Sequence, residues 1–224
     1  MAQIPATLYI SSASQLGPIV VALARPARLS GGARWVAIWC GTYAAENAIA
    51  LPMALAHHNN HILNYIFVPI QGAAILWALS LWQTQQMARL TMRAAIPGFL
   101  VAWTLLLFVE NLHGFSAIAE PVYSILALGA ALYTLVVRSS DATSSLLRQD
   151  WFWVCAGLAL HFGALVFLTP LGAALVNTNP EIVVRAYYVR SFVNILAFTL
   201  MTIGLLCPRP LPHSGPFFSP ASSA

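Results

Sequence analysis

Arg190 and Asn194 lie one helical turn apart inside the run Glu181 to Cys207, which is otherwise apolar and of membrane-spanning length. An arginine near the centre of a membrane helix costs ~2.5–3.5 kcal/mol on insertion scales, so it turns to the protein interior and finds a carboxylate or carbonyl there. Tyr187, Arg190 and Asn194 fall at i, i+3 and i+7 and therefore share one face, the inward one on this reading. Glu46 sits midway along another apolar segment, close after Tyr43 and just before Asn47. Such a carboxylate can carry a proton, balance a charged ligand or pair with Arg190, with Glu120 as the other acidic partner. Asn64 and Gln71, seven residues apart with Pro69 between them, lie on one face of a third segment. His161 falls near the middle of a sixth, where a lone buried histidine is commonly a hydrogen-bonded packing residue. Glu46, Asn64, Gln71, Glu120, His161, Tyr188, Arg190 and Asn194 form the candidate ligand-binding set, with no residue assigned a catalytic role.

A second cluster lies between segments. His57 and His61 have the four-residue spacing of a helical metal-ligand pair, and Glu110 or His113 could complete a zinc site if the third and fourth segments lie close. No full tetrahedral set is evident, and polar histidines are ordinary in interfacial loops, so no metal is assigned. The chain has no lysine, which excludes a retinal Schiff base, and no other cofactor is expected. Membrane hydrolases of the ceramidase type hold zinc with histidines on several helices, and the last segment here has none.

These residues need helices to position them. Of the 224 residues, 59% are hydrophobic and 7% charged, which excludes an ordinary soluble domain. The expected fold is all-α, a polytopic seven-transmembrane-helix bundle with spans near 6–24, 35–56, 62–82, 93–110, 115–137, 151–175 and 183–206. Residues 1–207 then form one membrane domain, and 208–224, rich in proline and serine, a disordered cytoplasmic tail. Arg25, Arg28, Arg34, Arg89, Arg93, Arg138, Arg148 and Arg209 fall in or beside alternate connectors, and the other connectors have none. The positive-inside rule therefore puts the N-terminus outside and the C-terminus in the cytoplasm. The N-terminal stretch lacks a basic start and reads as an uncleaved first span rather than a signal peptide. Pro18, Pro52, Pro69, Pro97, Pro121 and Pro170 lie in or at the edge of six spans and can bend them. Trp35, Trp39, Trp82, Trp151 and Trp153 lie near predicted span ends and are read as an interfacial belt. Cys40, Cys155 and Cys207 show no metal or disulfide spacing.

The opening of the third span, Asn60-His61-Ile62-Leu63-Asn64-Tyr65-Ile66-Phe67-Val68-Pro69-Ile70-Gln71, resembles that of uncharacterised bacterial seven-helix membrane proteins. In those, external asparagines precede an aromatic, a proline and then Glu or Gln. The resemblance implies the seven-helix layout and no activity, and Gln71 in place of a frequent Glu removes a charge there. Size and orientation also resemble the small seven-helix sugar carriers, as a likeness of fold. The expected function is that of a carrier or binding protein for a small polar ligand, anionic ligands included, with a pocket open to the outside. The alternatives are a sensory or accessory subunit acting through a partner protein, and a metal-dependent membrane hydrolase using the external histidines. Expected partners are the lipid bilayer, the ligand, and a protein partner or second copy, but no nucleic acid. The expected location is the bacterial inner membrane, crossed several times.

Overall fold

The computed structural model describes residues 6–56, 58–110, 116, 118–142, 145–175, 178 and 180–207. Among these the secondary structure is helical throughout: α1 (Ala6–Ser14), α2 (Leu16–Ala24), α3 (Gly31–Leu55), α4 (His61–Trp82), α5 (Gln86–Leu106), α6 (Ala119–Ser140), α7 (Asp150–Leu175) and α8 (Pro180–Leu206), with two short 3-10 turns. Helices α1 and α2 occupy the first expected span. Gln15, between them, keeps helical dihedrals of −65° and −23°. The break has a local cause, since Pro18 has no N–H to give the carbonyl of Ser14. Helix α5 starts earlier than expected, at Gln86 rather than near 93, because its first turns carry Gln86, Arg89 and Arg93 and are amphipathic rather than apolar. The tail from residue 208 lies outside the described residues.

Four helices are long and apolar enough to cross a membrane: α4, α6, residues 150–172 of α7 and 181–206 of α8. Of the others, α3 is 25 residues long but contains Arg34, Glu46 and Asn47, α5 contains Arg89 and Arg93, and the first span is divided. The outward surfaces are apolar even so. Phe108, Leu23 and Phe167 are 85%, 77% and 75% exposed, whereas Glu46, Gln71, His161 and Asn194 are buried. Apolar outside and polar inside is the distribution a helix bundle needs in lipid.

Helix α7 packs between α6 and α8, α3 lies along α4, and α1 and α2 rest on α8, with α2 also reaching α3. Helix α4 touches α6, which closes a ring, and α5 packs against α4. The α7–α8 seam is the tightest described contact of backbone on backbone. A Cβ on Gly157 would lie 2.6 Å from the carbonyl oxygen of Ala197, and one on Gly204 would lie 2.9 Å from that of Asp150. Glycine is what lets these two helices approach.

The two ends of the bundle differ. At one end Ser30 caps α3, its Oγ accepting from Ala33 N at 3.2 Å, and its hydroxyl donates to Asp150 at the start of α7. The guanidinium of Arg93 lies 4.6 Å above the Trp77 ring and that of Arg138 lies 5.5 Å above Trp151. At the opposite end the Glu110 carboxylate accepts from the hydroxyls of Tyr65 (3.1 Å) and Ser116 (3.0 Å) and from the N–H groups of Ile118 and Ala119. The carboxylate thus accepts from N–H groups at the start of α6 that the helix cannot satisfy itself.

Candidate functional site

The inner faces of α1, α3, α4, α6, α7 and α8 enclose a cavity of about 480 Å³. Its rim carries Thr7, Asn60, His61 and Val183, so it lies towards the end opposite the arginine-rich connectors. Its floor is an aromatic layer. Trp39 stacks on Tyr43 and on Phe198, with ring centroids 5.5 and 5.9 Å apart, and Phe162 and His161 meet it from the side. Trp39, Phe162 and Phe198 are 0% exposed. The indole N–H of Trp39 donates to the Tyr123 hydroxyl at 3.2 Å, so this polar group is satisfied within the layer. This corrects the expectation for Trp39, which is a packing residue inside the bundle; Trp82 and Trp151 do lie at helix ends but are buried (7% and 2% exposed), and of the five only Trp35 and Trp153 keep part of their surface at the bundle exterior. Trp39 lies eight residues into α3, about 12 Å along the axis, because the helix begins at Gly31 rather than 35.

All eight residues of the candidate set line this one cavity. Helical spacing accounts for their convergence: Glu46 follows Tyr43 on the buried face of α3, and Arg190, Asn194 and Tyr187 share a face of α8. Glu46 is 8% exposed, and its Oε2 accepts from Gln71 Nε2 at 2.7 Å, a short bond suited to a buried carboxyl group. His161 and Asn194 are buried side by side, with Nδ1 2.8 Å from Oδ1, so this ring nitrogen carries the proton and donates to the amide oxygen. The packing role expected of His161 is therefore present, although the same residue borders the cavity.

Arg190 faces inward as expected. Its guanidinium is hydrogen-bonded to the Tyr43 hydroxyl and lies in the field of Tyr43, Glu120 and Tyr187. Glu46, the first acidic partner expected for it, is instead bonded to Gln71 and feels Arg190 only through space. Of the two candidate counter-charges, Glu120 acts on Arg190 the more strongly.

Several lining residues were not in the candidate set. Gln15 is 3% exposed and its Oε1 accepts from Asn47 Nδ2 at 3.2 Å, which ties the break between α1 and α2 to α3. Ser11 and Thr169 are also buried at the cavity wall. Their signal was readable: Ser11 and Gln15 stand four apart, and Asn47 adjoins Glu46.

Of the metal candidates, His57 and His113 lie outside the described residues. Glu110 has both carboxylate oxygens occupied by four donors, and His61 borders the cavity mouth. Among the described residues no group of three or more His, Cys, Asp or Glu side chains could hold a metal ion. The three cysteines are free thiols. No family model, no curated protein and no solved structure matches the chain.

Proposed function

We propose that this chain is a seven-span bacterial inner-membrane protein, with its N-terminus outside and its C-terminus cytoplasmic, that binds or carries a small polar ligand in the cavity above the Trp39 layer. The observation that carries the reading is the convergence of Glu46, Gln71, Glu120, Arg190, His161 and Asn194 on one cavity of about 480 Å³. That volume is within the range of small-molecule sites, which combine apolar walls with a few convergent polar groups. Among the described residues, the arginines other than Arg185 and Arg190 fall at one end, which supports the orientation. The cavity then opens outward, and the aromatic layer closes it from the cytoplasm.

Charge balance narrows the ligand. Two carboxyl groups, Glu46 and Glu120, face one guanidinium, and Arg190 already has Glu120 and Tyr43 beside it. With both carboxyl groups ionised, a ligand with an ammonium group, cationic or zwitterionic, fits this lining better than the anion that Arg190 alone suggests. Tyr43, Tyr123, Tyr187 and Tyr188 add aromatic faces that attract cations.

The test is thermal unfolding of the purified protein in nanodiscs against a panel of small ammonium, zwitterionic and anionic compounds. A ligand at 100 times its Kd stabilises the folded state by ~2.7 kcal/mol. That stabilisation should vanish in Glu46→Leu and Arg190→Leu. A panel without effect on the parent protein would count against a polar ligand site. A reporter fused after Arg148 should read as cytoplasmic, and a periplasmic signal there would overturn the orientation.

A further inference from the structure

The arginine-bearing end contains a second cavity, of about 210 Å³, whose walls include Arg28, Trp82, Arg138, Asp150 and Trp151. Three buried N–H groups of these side chains have no hydrogen-bond acceptor among the described residues: Trp82 Nε1, Trp151 Nε1 and Arg138 Nε. Indole and guanidinium nitrogens only donate. Buried donors are almost always paired, so three orphans around one cavity call for an acceptor that the described residues do not supply. The two indoles are held in place. Trp82 packs on the bare backbone of Gly32, where a Cβ would come 2.8 Å from Cδ2, and Trp151 lies under the Arg138 guanidinium.

The charge points the same way. Arg28 and Arg138 outnumber Asp150, the single acid in the wall. Asp150 is also spent on the fold: Oδ1 accepts from Trp151 N at 2.7 Å and Oδ2 from the Ser30 hydroxyl. What remains is a cavity with surplus donors and a net positive wall. A phosphate group meets both conditions, since its oxygens accept several hydrogen bonds at once and arginine recognises it readily.

We propose that this cavity is a phosphate-binding site, separate from the polar cavity at the other end. Its phosphate comes either from the headgroup of an anionic membrane lipid or from free phosphate. The lipid source rests on the membrane orientation proposed above, which sets this end at the leaflet rich in anionic headgroups. The free-phosphate source does not.

The experiment uses the full chain in nanodiscs of phosphatidylcholine alone or mixed with phosphatidylglycerol, followed by native mass spectrometry and thermal unfolding. With the lipid as source, the protein should retain phosphatidylglycerol over phosphatidylcholine by ~10-fold or more, and unfold at higher temperature in the mixed discs. With the free anion as source, millimolar inorganic phosphate should raise the unfolding temperature in phosphatidylcholine discs, and sulfate should compete. Arg138→Gln, which removes charge from a half-buried position, should cut retention or the phosphate shift several-fold. Trp82→Phe and Trp151→Phe, which keep a ring and remove only the donor, should weaken it less. If either tryptophan variant fails to fold, Arg138→Gln carries the test. Equal retention of both lipids with no phosphate effect, or Arg138→Gln binding like the parent, would overturn the proposal and leave water as the acceptor.

Discussion

Replacing Glu46 and Gln71, singly and together, should expose the strongest pairwise coupling in the polar cavity. Their 2.7 Å hydrogen bond joins neighbouring helices α3 and α4, and the two residues are 8% and 2% exposed. A hydrogen bond to a charged group contributes ~1.5–3 kcal/mol, and one between neutral groups ~0.5–1.5 kcal/mol. The coupling between Glu46→Leu and Gln71→Leu should fall in one of these ranges, which also reports whether the carboxyl group is ionised. Each single variant leaves a buried polar group without its partner, so the double variant should be more stable than the sum of the singles allows. Glu46→Gln keeps the shape and still offers an acceptor, and should lose at most ~1.5 kcal/mol. The assay is reversible unfolding in mixed micelles titrated with a denaturing detergent, read by tryptophan fluorescence. The cycles Glu46/Arg190 and Glu120/Arg190 belong in the same series, with the second showing the larger coupling. Additive losses for Glu46 and Gln71, or a Glu46/Arg190 coupling equal to or above theirs, would refute this account of the cavity.

Other outcomes follow from packing. Trp39→Ala empties the centre of the aromatic layer and orphans the Tyr123 hydroxyl, so it should cost ~3–5 kcal/mol, whereas Trp35→Ala, at 37% exposed, should cost much less. Gly157→Ala puts a methyl group 2.6 Å from a backbone carbonyl oxygen that has no rotamer to escape into, and should cost ~1–3 kcal/mol in the same unfolding assay. Gly163→Ala, where the new Cβ meets nothing within 4 Å, should be neutral or stabilising by up to ~1 kcal/mol. Elemental analysis should find well under one zinc per chain, and a stoichiometric zinc lost in the His57→Ala/His61→Ala variant would revive the hydrolase reading.

The helical faces were legible in the sequence because spacing alone sets them. Tyr187, Arg190 and Asn194 do share the cavity face, and Asn64 and Gln71 another. Depth is legible too, since in an antiparallel helix pair residues equally far from the turn lie at the same level. Glu46 is nine residues before the end of α3 and Gln71 ten after the start of α4, about 14 and 15 Å from the rim. His161 and Asn194 are each fourteen residues from the facing ends of α7 and α8, and they too are bonded. The interfacial reading of Trp39 failed for a similar reason, since a span taken to start at 35 hides the preceding turn that carries the chain to the surface.

Which residue answers Arg190 is harder to read, because depth does not distinguish the candidates. Arg190 lies ten residues into α8, at the same ~15 Å as Glu46 and Gln71. Side-chain direction separates them. The Cα–Cβ bond tilts towards the helix N-terminus, which for α8 is the cavity rim and for α3 is the opposite end. On this geometry Cβ of Arg190 leads towards the rim, where Glu120 stands in the first turn of α6, and Cβ of Glu46 leads towards the floor, while Gln71 on the adjoining helix α4 donates to the Glu46 carboxylate. Neighbourhood completes the choice, since α3 packs along α4 whereas α2 touches both α3 and α8. A charge pair inferred from one span's periodicity needs both pieces of information, and only the order of helices around the bundle supplies the second.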